Sequence, residues 1–397
     1  MIKICLITPN LLPVPAVKGG AIESLVTNII EEQEKEKKLD ITIVSIYNEE
    51  AKIKSEKYKE TKFIYVKKNV NYMITSIIFK LINKVFKKNL NTYNHVVLNK
   101  IKKENFDYII AEGGNYESYN KYLKYYKRSQ LILHLHHQGE SNEIVNNTFS
   151  KLIAVSDFVK NDFAKSAKKM NLKTVLNGID TKKFKSKSSQ KEIITLKKKY
   201  GIEKDDFVVL YCGRLVEVKG VLELIKAVNE IENKKIKLLI LGSSSFSGAS
   251  QTEYTKKLEA EASKLGKRIM FTGYVNNWEL YKYYEIVNIM CMPSLWEEAA
   301  GLTGIEAMLS GKVVLATNSG GVKEYLNEKN CLIVEKNKNI VKNIKDGILA
   351  LYENKDKLPE KEKELKLHAE KFNSHNLYKD FCNVLESFAE EDKYEKE

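Results

Sequence analysis

Short apolar runs, each long enough for a β-strand, recur along the chain and are separated by segments of helical character. In the first half these runs lie at residues 2–8, 41–47, 62–66, 106–112, 131–137 and 151–156. Between the first two runs, residues 20–38 predict a helix that ends in charged side chains. Strands that are apolar throughout, rather than at alternate positions, are typical of a parallel sheet with helices on both faces.

The same alternation starts again after residue 184. A second series of apolar runs lies at residues 207–213, 236–242, 268–274, 288–294, 312–318 and 331–335. A chain of 397 residues is also long for a single hydrophobic core. We therefore predict an α/β protein of two consecutive domains, each with a parallel sheet, and a cleft between them. The predicted domains are residues 1–175 and 176–375, followed by a final helix at about 376–397.

The formal net charge of +14 bears on the partners of the chain. Such a charge favours phosphorylated substrates, anionic lipid or nucleic acid, although lysines spread over a solvated surface explain it equally well. Nucleic acid is disfavoured, because the basic residues are almost all Lys and no stretch combines them with aromatic residues. None of the five cysteines forms a C-x-x-C pair, and no metal site is predicted.

Neither a signal peptide nor a membrane span is predicted. The opening MIKICLITPN has strand character, and no run of 18 apolar residues occurs. We expect a cytoplasmic protein with reduced thiols, peripheral at the inner face of the membrane if it contacts lipid.

One of only three arginines, Arg214, lies in GRLVEVKG, residues 213–220, directly after a predicted strand. Ligands of open α/β sheets bind beyond the carboxyl ends of strands, where this loop lies. Gly213 allows close backbone approach, the Arg214 guanidinium can fork onto a phosphate, and Lys219 can reach the same group as a point charge. The loop is neither a Walker A motif nor G-x-G-x-x-G. The alternative is a strand-to-helix turn with incidental basic residues.

A second motif, in residues 293–312, combines two glutamates with the start of a helix. Glu298 lies on the loop after a strand, and Glu306 lies about one turn into a helix that begins near Leu302 or Thr303. The first amides of this helix favour an anion, and carboxylates on both sides accept hydroxyl groups. This arrangement suits a nucleotide sugar, with one carboxylate for the ribose and one for the sugar. The alternative is a helix with Glu in its first turn, which the dipole also favours.

Together the two motifs resemble the signature of the retaining glycosyltransferases of family 4, which have the GT-B fold. The resemblance implies two facing Rossmann-like domains, with the final helix packed back on the first domain. The E-x7-E element from Glu298 to Glu306 is matched in full. Further matches extend the resemblance over nearly the whole chain: Lys18-Gly19-Gly20, Asn177-Gly178-Ile179-Asp180, and Ser319-Gly320-Gly321 with Glu324. The segment LPVPAVKGGAIE is especially similar to bacterial enzymes that build surface polysaccharides, including spore-coat relatives.

The resemblance implies that the donor is a UDP- or GDP-linked sugar and that no further cofactor is required. Arg214 and Lys219 would bind the diphosphate, Glu306 the ribose and Glu298 a hydroxyl of the donor sugar. The remaining contacts implied for the donor come from Gly213, from the backbone of Gly301, Leu302 and Thr303, and from the closing loop that holds Gly19 and Gly20. Ala300 stands where the family has Phe in E-x-F-G, which bears on the shape of the sugar pocket.

Three of the six histidines lie in LILHLHHQGE, residues 131–140. Alternation along a strand places His134 and His136 on one face and His137 on the other. They are either core or capping histidines, or one of them contacts the donor sugar or acceptor at the carboxyl end of the strand. The resemblance favours His136 for that contact, with His137 as the alternative. A zinc site would need a third ligand that is not obvious in the sequence.

Residues 72–88 predict a basic amphipathic helix. Apolar residues recur at helical spacing from Met73 to Phe86, and Lys80, Lys84, Lys87 and Lys88 lie off this stripe. The helix either packs against the first sheet or lies on an anionic membrane, each lysine near the surface contributing about 1 kcal/mol.

The predicted function is therefore retaining transfer of a sugar to a glycan or lipid-linked acceptor in bacterial cell-surface polysaccharide synthesis. The resemblance implies attack on the face from which the diphosphate departs, with the leaving phosphate helping to take the acceptor proton. Glu298 would then position the sugar rather than attack it. Two alternatives are a nucleotide-sugar epimerase on the same fold and a non-catalytic coat or scaffold protein.

Overall fold

A computed structural model describes residues 1–243 and 252–394, with the backbone alone for Lys185. The chain divides into two compact units. The N-terminal unit is Met1–Gly178 together with the segment from Ser374 onward, and the C-terminal unit is Ile179–Asn373. The sequence had predicted boundaries at 175/176 and 375/376, and residues 395–397 of its final helix lie outside the described part.

A seven-stranded parallel sheet forms the centre of the N-terminal unit. Its strands are β1 (Ile2–Ile7), β2 (Leu39–Ile46), β3 (Thr61–Val66), β4 (Tyr108–Ala111), β5 (Leu131–Leu135), β6 (Lys151–Ala154) and β7 (Asn171–Thr174). They are ordered β3-β2-β1-β4-β5-β6-β7. The register pairs Ile4 with Ile41 and with Tyr108, so β1 lies between β2 and β4.

Helices connect these strands, as the alternating pattern predicts. They are α1 (Ala21–Glu36), α2 (Glu49–Ser55), α3 (Val70–Phe86), α4 (Thr92–Ile101), α5 (Glu143–Thr148) and α6 (Asp157–Ala164), with a 3-10 segment at Tyr116–Lys124. Ile4, Ile41 and Ile110 are fully buried in one core with Val26 and Ile29 of α1. Residues apolar on both faces of a strand can be satisfied only by such two-sided cover.

Helix α3 differs from the others because none of its residues is buried. It contacts α4 through Phe79, whose ring centre lies 5.3 Å from that of His95. Asn83 exchanges hydrogen bonds of 2.8 and 2.9 Å with the backbone of Leu90, in the loop before α4. The expectation that this helix packs its apolar stripe against the first sheet is wrong. Its polar side faces the protein, and Met73, Ile77 and Leu81 are each 59% exposed.

The C-terminal unit is built on a second parallel sheet of six strands. They are β8 (Phe207–Cys212), β9 (Ile236–Leu241), β10 (Ile269–Gly273), β11 (Ile289–Met292), β12 (Val313–Thr317) and β13 (Leu332–Val334), in the order β10-β9-β8-β11-β12-β13. The helices of this unit are α7 (Gln190–Lys199), α8 (Val221–Asn229), α9 (Glu253–Ala262), α10 (Leu280–Glu285), α11 (Leu302–Leu309), α12 (Val322–Tyr325), α13 (Ile340–Glu353) and α14 (Glu362–Ala369).

The last helix, α15 (Ser374–Tyr394), belongs to the N-terminal unit. Leu377, Phe381 and Leu385 recur on one face and are buried in the same core as β1 and α1. The two sheets confirm the predicted fold class of two Rossmann-like domains. No helix among residues 1–243 and 252–394 is long and apolar enough to cross a membrane.

Candidate active site

The order of the strands places the predicted motifs of the C-terminal unit side by side. Strand β8 lies between β9 and β11, so chain connections run in opposite directions on its two sides. Ligands of open α/β sheets bind beyond the carboxyl ends of strands at such a reversal point. The loop 213–220 follows β8 and the loop 293–301 follows β11, so both motifs lie at this point.

Backbone contacts join these two loops. The amides of Leu295 and Trp296 both donate to the carbonyl of Val218, at 2.9 and 3.3 Å. Gly220 has a φ of +69°, and a Cβ there would lie 1.9 Å from the carbonyl oxygen of Pro293. Glycine is therefore required at position 220, both for its left-handed backbone and for the close approach.

Lys219 and Glu298, one from each loop, form an ion pair. The Nζ of Lys219 lies 2.6 Å from Oε1 of Glu298, whose side chain is 9% exposed. The hydroxyl of Ser294 donates to the same oxygen, and the Lys219 ammonium lies 5.0 Å from the ring centre of Trp296. The structure thus brings together two residues that lie 79 positions apart.

A third loop, after β12, fixes the backbone around Glu298. The Glu298 amide donates to the hydroxyl of Ser319 at 3.2 Å, and its carbonyl accepts from Gly321 at 2.7 Å. Next to it, Glu297 accepts from the amide of Gly320 and pairs with Lys336. The Ser-Gly-Gly segment therefore holds the glutamate loop in place through the Ser319 hydroxyl and the amides of Gly320 and Gly321.

Helix α11 begins at Leu302, as predicted, and its N-terminus lies next to the Glu298 loop. The residue before it, Gly301, has no side chain that could cap the helix. The first amides of the helix, those of Leu302 and Thr303, are therefore oriented outward with the positive end of the helix dipole. A Cβ on Gly304 would lie 2.7 Å from Leu326, so the first turn packs closely on α12.

Glu306 lies one turn into α11, in largely buried surroundings. Its Oε2 accepts a hydrogen bond of 3.2 Å from the hydroxyl of Tyr284, a fully buried residue. Burial raises the pKa of Glu306 to about 7, although the Tyr284 hydrogen bond and the charge of Lys183 both lower it. Glu306 is therefore partly protonated at neutral pH and changes its charge readily on ligand binding.

Gly213 and Arg214 occupy the start of the loop after β8. A Cβ on Gly242 would lie 1.8 Å from the carbonyl of Gly213, so the ends of β8 and β9 approach closely there. The Arg214 side chain is exposed, while its carbonyl accepts a hydrogen bond of 2.7 Å from the hydroxyl of the buried Tyr211. The Tyr211 hydroxyl therefore fixes the backbone of this loop at Arg214.

In the N-terminal unit, the predicted glycines lie where the chain reverses between β1 and β4. Gly19 and Gly20 both have positive φ, and Gly20 immediately precedes α1. A Cβ on Gly20 would lie 2.1 Å from the carboxylate of Glu23. Burial raises the pKa of Glu23 to about 7, so a second readily protonated carboxyl lies beside this loop.

The three histidines have different environments. His134 is fully buried on β5, His136 lies just beyond the end of this strand, and His137 is exposed. Glu112, directly after β4, lies 2.9 Å from Nδ1 of His134 and 2.8 Å from Nε2 of His136. Ligand atoms of these three residues lie within 4.8 Å of one another, so the third potential metal ligand that the sequence did not reveal is Glu112.

The predicted site residues of the C-terminal unit lie on loops and a helix at one edge of its sheet, whereas two buried carboxylates of the N-terminal unit were not predicted. The structure brings Lys219 and Glu298 into contact and places Glu306 and the α11 N-terminus nearby in the same unit. Glu112 and Glu23 were missed. The available signal was position alone, since Glu112 follows a strand and Glu23 follows the Lys18-Gly19-Gly20 turn.

A family model described as "Glycosyl transferases group 1" matches residues 192–372, slightly less than half of the chain. The match contains every predicted site residue of the C-terminal unit. The chain is also 27% identical over 290 residues to a lipopolysaccharide 1,2-N-acetylglucosaminetransferase of Salmonella typhimurium, covering 71% of this chain and 74% of that protein. It is 24% identical to spore coat protein SA of Bacillus subtilis, covering 84% and 85%.

Solved structures share the fold. The Anabaena protein HepE in complex with UDP-glucose superposes with a TM-score of 0.73 at 19% identity, over 98% of this chain and 100% of that one. A glycosyltransferase from Rickettsia africae gives a TM-score of 0.76 at 17% identity, over 98% and 99%. These structures confirm the predicted GT-B architecture, and the family model with the named relatives confirms that the protein is a glycosyltransferase.

Proposed function

We propose that this glycosyltransferase moves a sugar from a nucleotide-diphosphate sugar to a glycan or lipid-linked acceptor, with retention of anomeric configuration, as in family 4. The C-terminal unit would bind the donor and the N-terminal unit the acceptor. The names of two relatives, a lipopolysaccharide transferase and a spore coat protein, support a role in bacterial cell-surface polysaccharide synthesis.

The observation that carries this proposal is the contact of Lys219 with Glu298 at the strand reversal point. A cation for the diphosphate and a carboxylate for the sugar lie 2.6 Å apart, on adjacent loops. In a nucleotide sugar a single glycosidic bond joins the diphosphate to the sugar ring, which carries the hydroxyls. The pair therefore matches the region of the donor where the bond breaks.

Negative charge grows on the diphosphate as the glycosidic bond breaks. We assign its stabilisation to Lys219, to the guanidinium of Arg214, and to the amides of Leu302 and Thr303 at the positive end of α11. Each charge-assisted hydrogen bond contributes about 1.5–3 kcal/mol. These groups supply the positive charge that the departing diphosphate needs, so this step requires no further cofactor.

We propose UDP rather than GDP as the carrier. HepE, the structural neighbour, was solved with UDP and with UDP-glucose. In this chain Glu306 would accept the hydroxyls of the ribose, which both nucleotides share, so the preference for UDP rests on the neighbour.

The environment of Glu298 supports retention through same-face attack. Its Oε1 forms an ion pair with the Lys219 ammonium and accepts a hydrogen bond from the Ser294 hydroxyl. A carboxylate with these partners is a weak nucleophile. Glu298 would position a sugar hydroxyl while the leaving phosphate takes the acceptor proton. Detection of a glycosyl adduct on Glu298 by mass spectrometry would contradict this role.

The first test is calorimetric binding of UDP-, GDP-, ADP- and CMP-linked sugars to the full chain. We expect one UDP-sugar to bind, and we expect Lys219→Met and Glu306→Gln each to weaken binding at least 10-fold. The matched control is Lys204→Met, an exposed lysine in the loop before β8 at the opposite edge of the sheet. Equal binding in all three variants would contradict the assigned site.

The same preparations separate the alternative functions. Interconversion of sugar nucleotides without acceptor would indicate an epimerase, and a well-folded protein that binds none of the donors would indicate a scaffold. The anomeric configuration of a transferred sugar, read by proton NMR, tests retention independently of donor identity.

We further propose that α3 docks the enzyme on the inner face of an anionic membrane. Its exposed stripe runs along one side of the helix and consists of Met73, Ile74, Ile77, Ile78, Leu81 and Val85. Lys80 and Lys84 lie at one edge of this stripe by helical geometry, and Lys87 and Lys88 follow the helix. Apolar residues flanked by lysines fit a helix that lies in the headgroup region.

Vesicle sedimentation tests the membrane proposal. We expect binding to vesicles with anionic lipid, weakened by salt, and at least a 10-fold loss in Ile77→Glu. The control is Ile194→Glu on α7, a residue that is 64% exposed in the other unit. Equal loss in both variants, or equal binding to neutral vesicles, would contradict a specific role of α3.

A further inference from the structure

A buried polar cluster lies at the carboxyl edge of the sheet in the N-terminal unit. It consists of Glu112 after β4 and of His134 and His136 on and after β5. Glu112 and His134 have no exposed surface, and the His136 side chain is 7% exposed. Both imidazoles approach the same carboxylate oxygen, Oε2 of Glu112, at 2.9 and 2.8 Å.

The 2.8 Å contact of His136 Nε2 is a hydrogen bond, whereas Nδ1 of His134, at 2.9 Å, makes none with any residue that the structure describes. A zinc ion lies about 2.0–2.2 Å from its ligands, so ligand atoms of a tetrahedral site lie about 3.3 Å apart. The two nitrogen–oxygen distances are shorter than that, although the ligand atoms of the three residues are bounded only by 4.8 Å. We therefore interpret the contact of Glu112 with His136 as a hydrogen bond.

The protonation states are consistent with this interpretation. Burial lowers the pKa of His136 to about 4, helped by the charges of His134 and His137 and opposed by Glu112. Burial would raise the pKa of Glu112, but the charges and hydrogen bonds of the two histidines lower it to about 2. The hydrogen bond itself indicates the tautomer of His136: a carboxylate oxygen accepts, so Nε2 carries the proton donated to Glu112 and the lone pair of the imidazole lies on Nδ1.

We propose that Glu112 is a positioning residue that acts through His136. It fixes the ring so that Nδ1, which makes no hydrogen bond within the described residues, presents an acceptor to a hydroxyl of the bound sugar. The ring of His134 packs against that of His136, with 4.2 Å between the ring centres. The inference rests on the proposed function, because it assumes that His136 contacts donor or acceptor during sugar transfer.

His134 lies on β5 and His136 lies just beyond its end, and their ring centres are 4.2 Å apart. This packing and the hydrogen bond to Glu112 together restrain the His136 ring. A shift of about 1 Å in a catalytic group can cost 100-fold in rate. Removing the acceptor at position 112 should therefore reduce turnover, and it leaves the donor contacts proposed for the C-terminal unit in place.

The test combines a mutant cycle with NMR. Glu112→Met removes the acceptor at similar size, Glu112→Gln keeps an acceptor oxygen, and Glu143→Gln changes an exposed glutamate on α5 as the control. We expect kcat to fall 10- to 100-fold in Glu112→Met, less in Glu112→Gln and not at all in Glu143→Gln, with the donor KM unchanged. In the His136→Gln background, Glu112→Met should cost no more than 2-fold further.

Additive losses in the double variant would overturn the proposal, because a merely structural glutamate would act independently of His136. The NMR readout needs no activity. A downfield, slowly exchanging Nε2 proton of His136 should be present in the wild-type protein and absent in Glu112→Met. Its absence from the wild type, or stoichiometric zinc retained after dialysis, would also overturn the proposal. A wild type with this proton but no transferase activity would instead refute the proposed function alone.

Discussion

Glu306 is the residue whose ionisation should make donor binding depend on pH. Its pKa is raised to about 7 by burial, so at pH 6 about a tenth of the molecules carry the ionised carboxylate that accepts ribose hydroxyls. Binding favours the ionised form, so affinity rises with pH. We expect UDP-glucose to bind about 10-fold more tightly at pH 8 than at pH 6, measured by calorimetry.

Glu306→Gln should bind more weakly at pH 8 and show little dependence on pH, because its amide does not titrate. A sugar nucleotide is used because its diphosphate does not titrate in this range, unlike the terminal phosphate of UDP. A pH dependence that persists unchanged in Glu306→Gln would assign it to another group.

The ion pair of Lys219 and Glu298 gives a second residue-scale prediction, on stability. Lys219→Met leaves the Glu298 carboxylate, 9% exposed, without its cation, and breaking such a pair costs about 3 kcal/mol. Adding Glu298→Gln removes the uncompensated charge, so the double variant should be more stable than Lys219→Met. Both tryptophans, Trp278 and Trp296, lie in this unit, so their fluorescence during urea unfolding reports on it alone.

The control is the pair of Lys366 and Glu362 on α14, whose side chains are 41% and 49% exposed. Lys366→Met should cost less than about 0.5 kcal/mol, because solvent screens exposed pairs. If both lysine variants cost the same, the buried pair is not the source of the effect.

The residues of the two polar clusters differ in whether the sequence predicts that they lie together. Glu298 and Glu306 have a fixed spacing across a loop and a helix start, so a sequence motif identifies them. Glu112 has no such spacing to His134 and His136, because the contact between them arises from the pairing of β4 with β5. Only the sheet order places that carboxylate beside the histidines.

At the scale of elements, most strands are predicted to within one or two residues because burial demands apolar sequence. The exception is β7, Asn171–Thr174, whose residues NLKT have no such pattern. It is a partly buried edge strand; the other edge strands, β3, β10 and β13, are also partly exposed but keep apolar residues. For α3 the apolar stripe predicts the helix, but periodicity alone does not tell whether the stripe faces protein or solvent.

The exposed stripe of α3 leads to a prediction on stability. Ile77 is 59% exposed, so Ile77→Ser should change the free energy of unfolding by less than about 0.5 kcal/mol. Ile29 on α1 is fully buried, and Ile29→Ser should cost about 3 kcal/mol or more. Urea unfolding followed by far-ultraviolet circular dichroism compares the two. A large cost for Ile77→Ser would mean that this face is covered in the protein itself.

At the scale of the whole molecule, the N-terminal unit is completed by a helix that follows the entire C-terminal unit in sequence. Leu377, Tyr378, Phe381, Leu385 and Phe388 of α15 are almost fully buried in the core of that unit. Polar contacts add to this packing, since Asp392 accepts from the Tyr108 hydroxyl at 2.7 Å and pairs with Lys151 at 2.6 Å. Sequence patterns predict the helix, and the resemblance to GT-B enzymes suggested where it packs.

We therefore predict that a chain ending at Asn373 loses the structure of its N-terminal unit and keeps that of its C-terminal unit. Each large apolar side chain on α15 contributes about 1.5–3 kcal/mol when buried. The five together approach or exceed the 5–15 kcal/mol that stabilises a typical domain. Amide hydrogen exchange should lose protection in β1 and β4 and keep it in β8 and β11, with unchanged tryptophan fluorescence.

A synthetic peptide of residues 374–394 should restore protection in β1 and β4 with saturable dependence on its concentration, because it replaces the missing part of the core. The same peptide with Phe381→Asp places a charge at a fully buried position and should not restore it. Normal exchange in the truncated chain would contradict the assignment of α15 to the core. Loss of protection in both units would show instead that they unfold together. The two compact units would then not be independently stable.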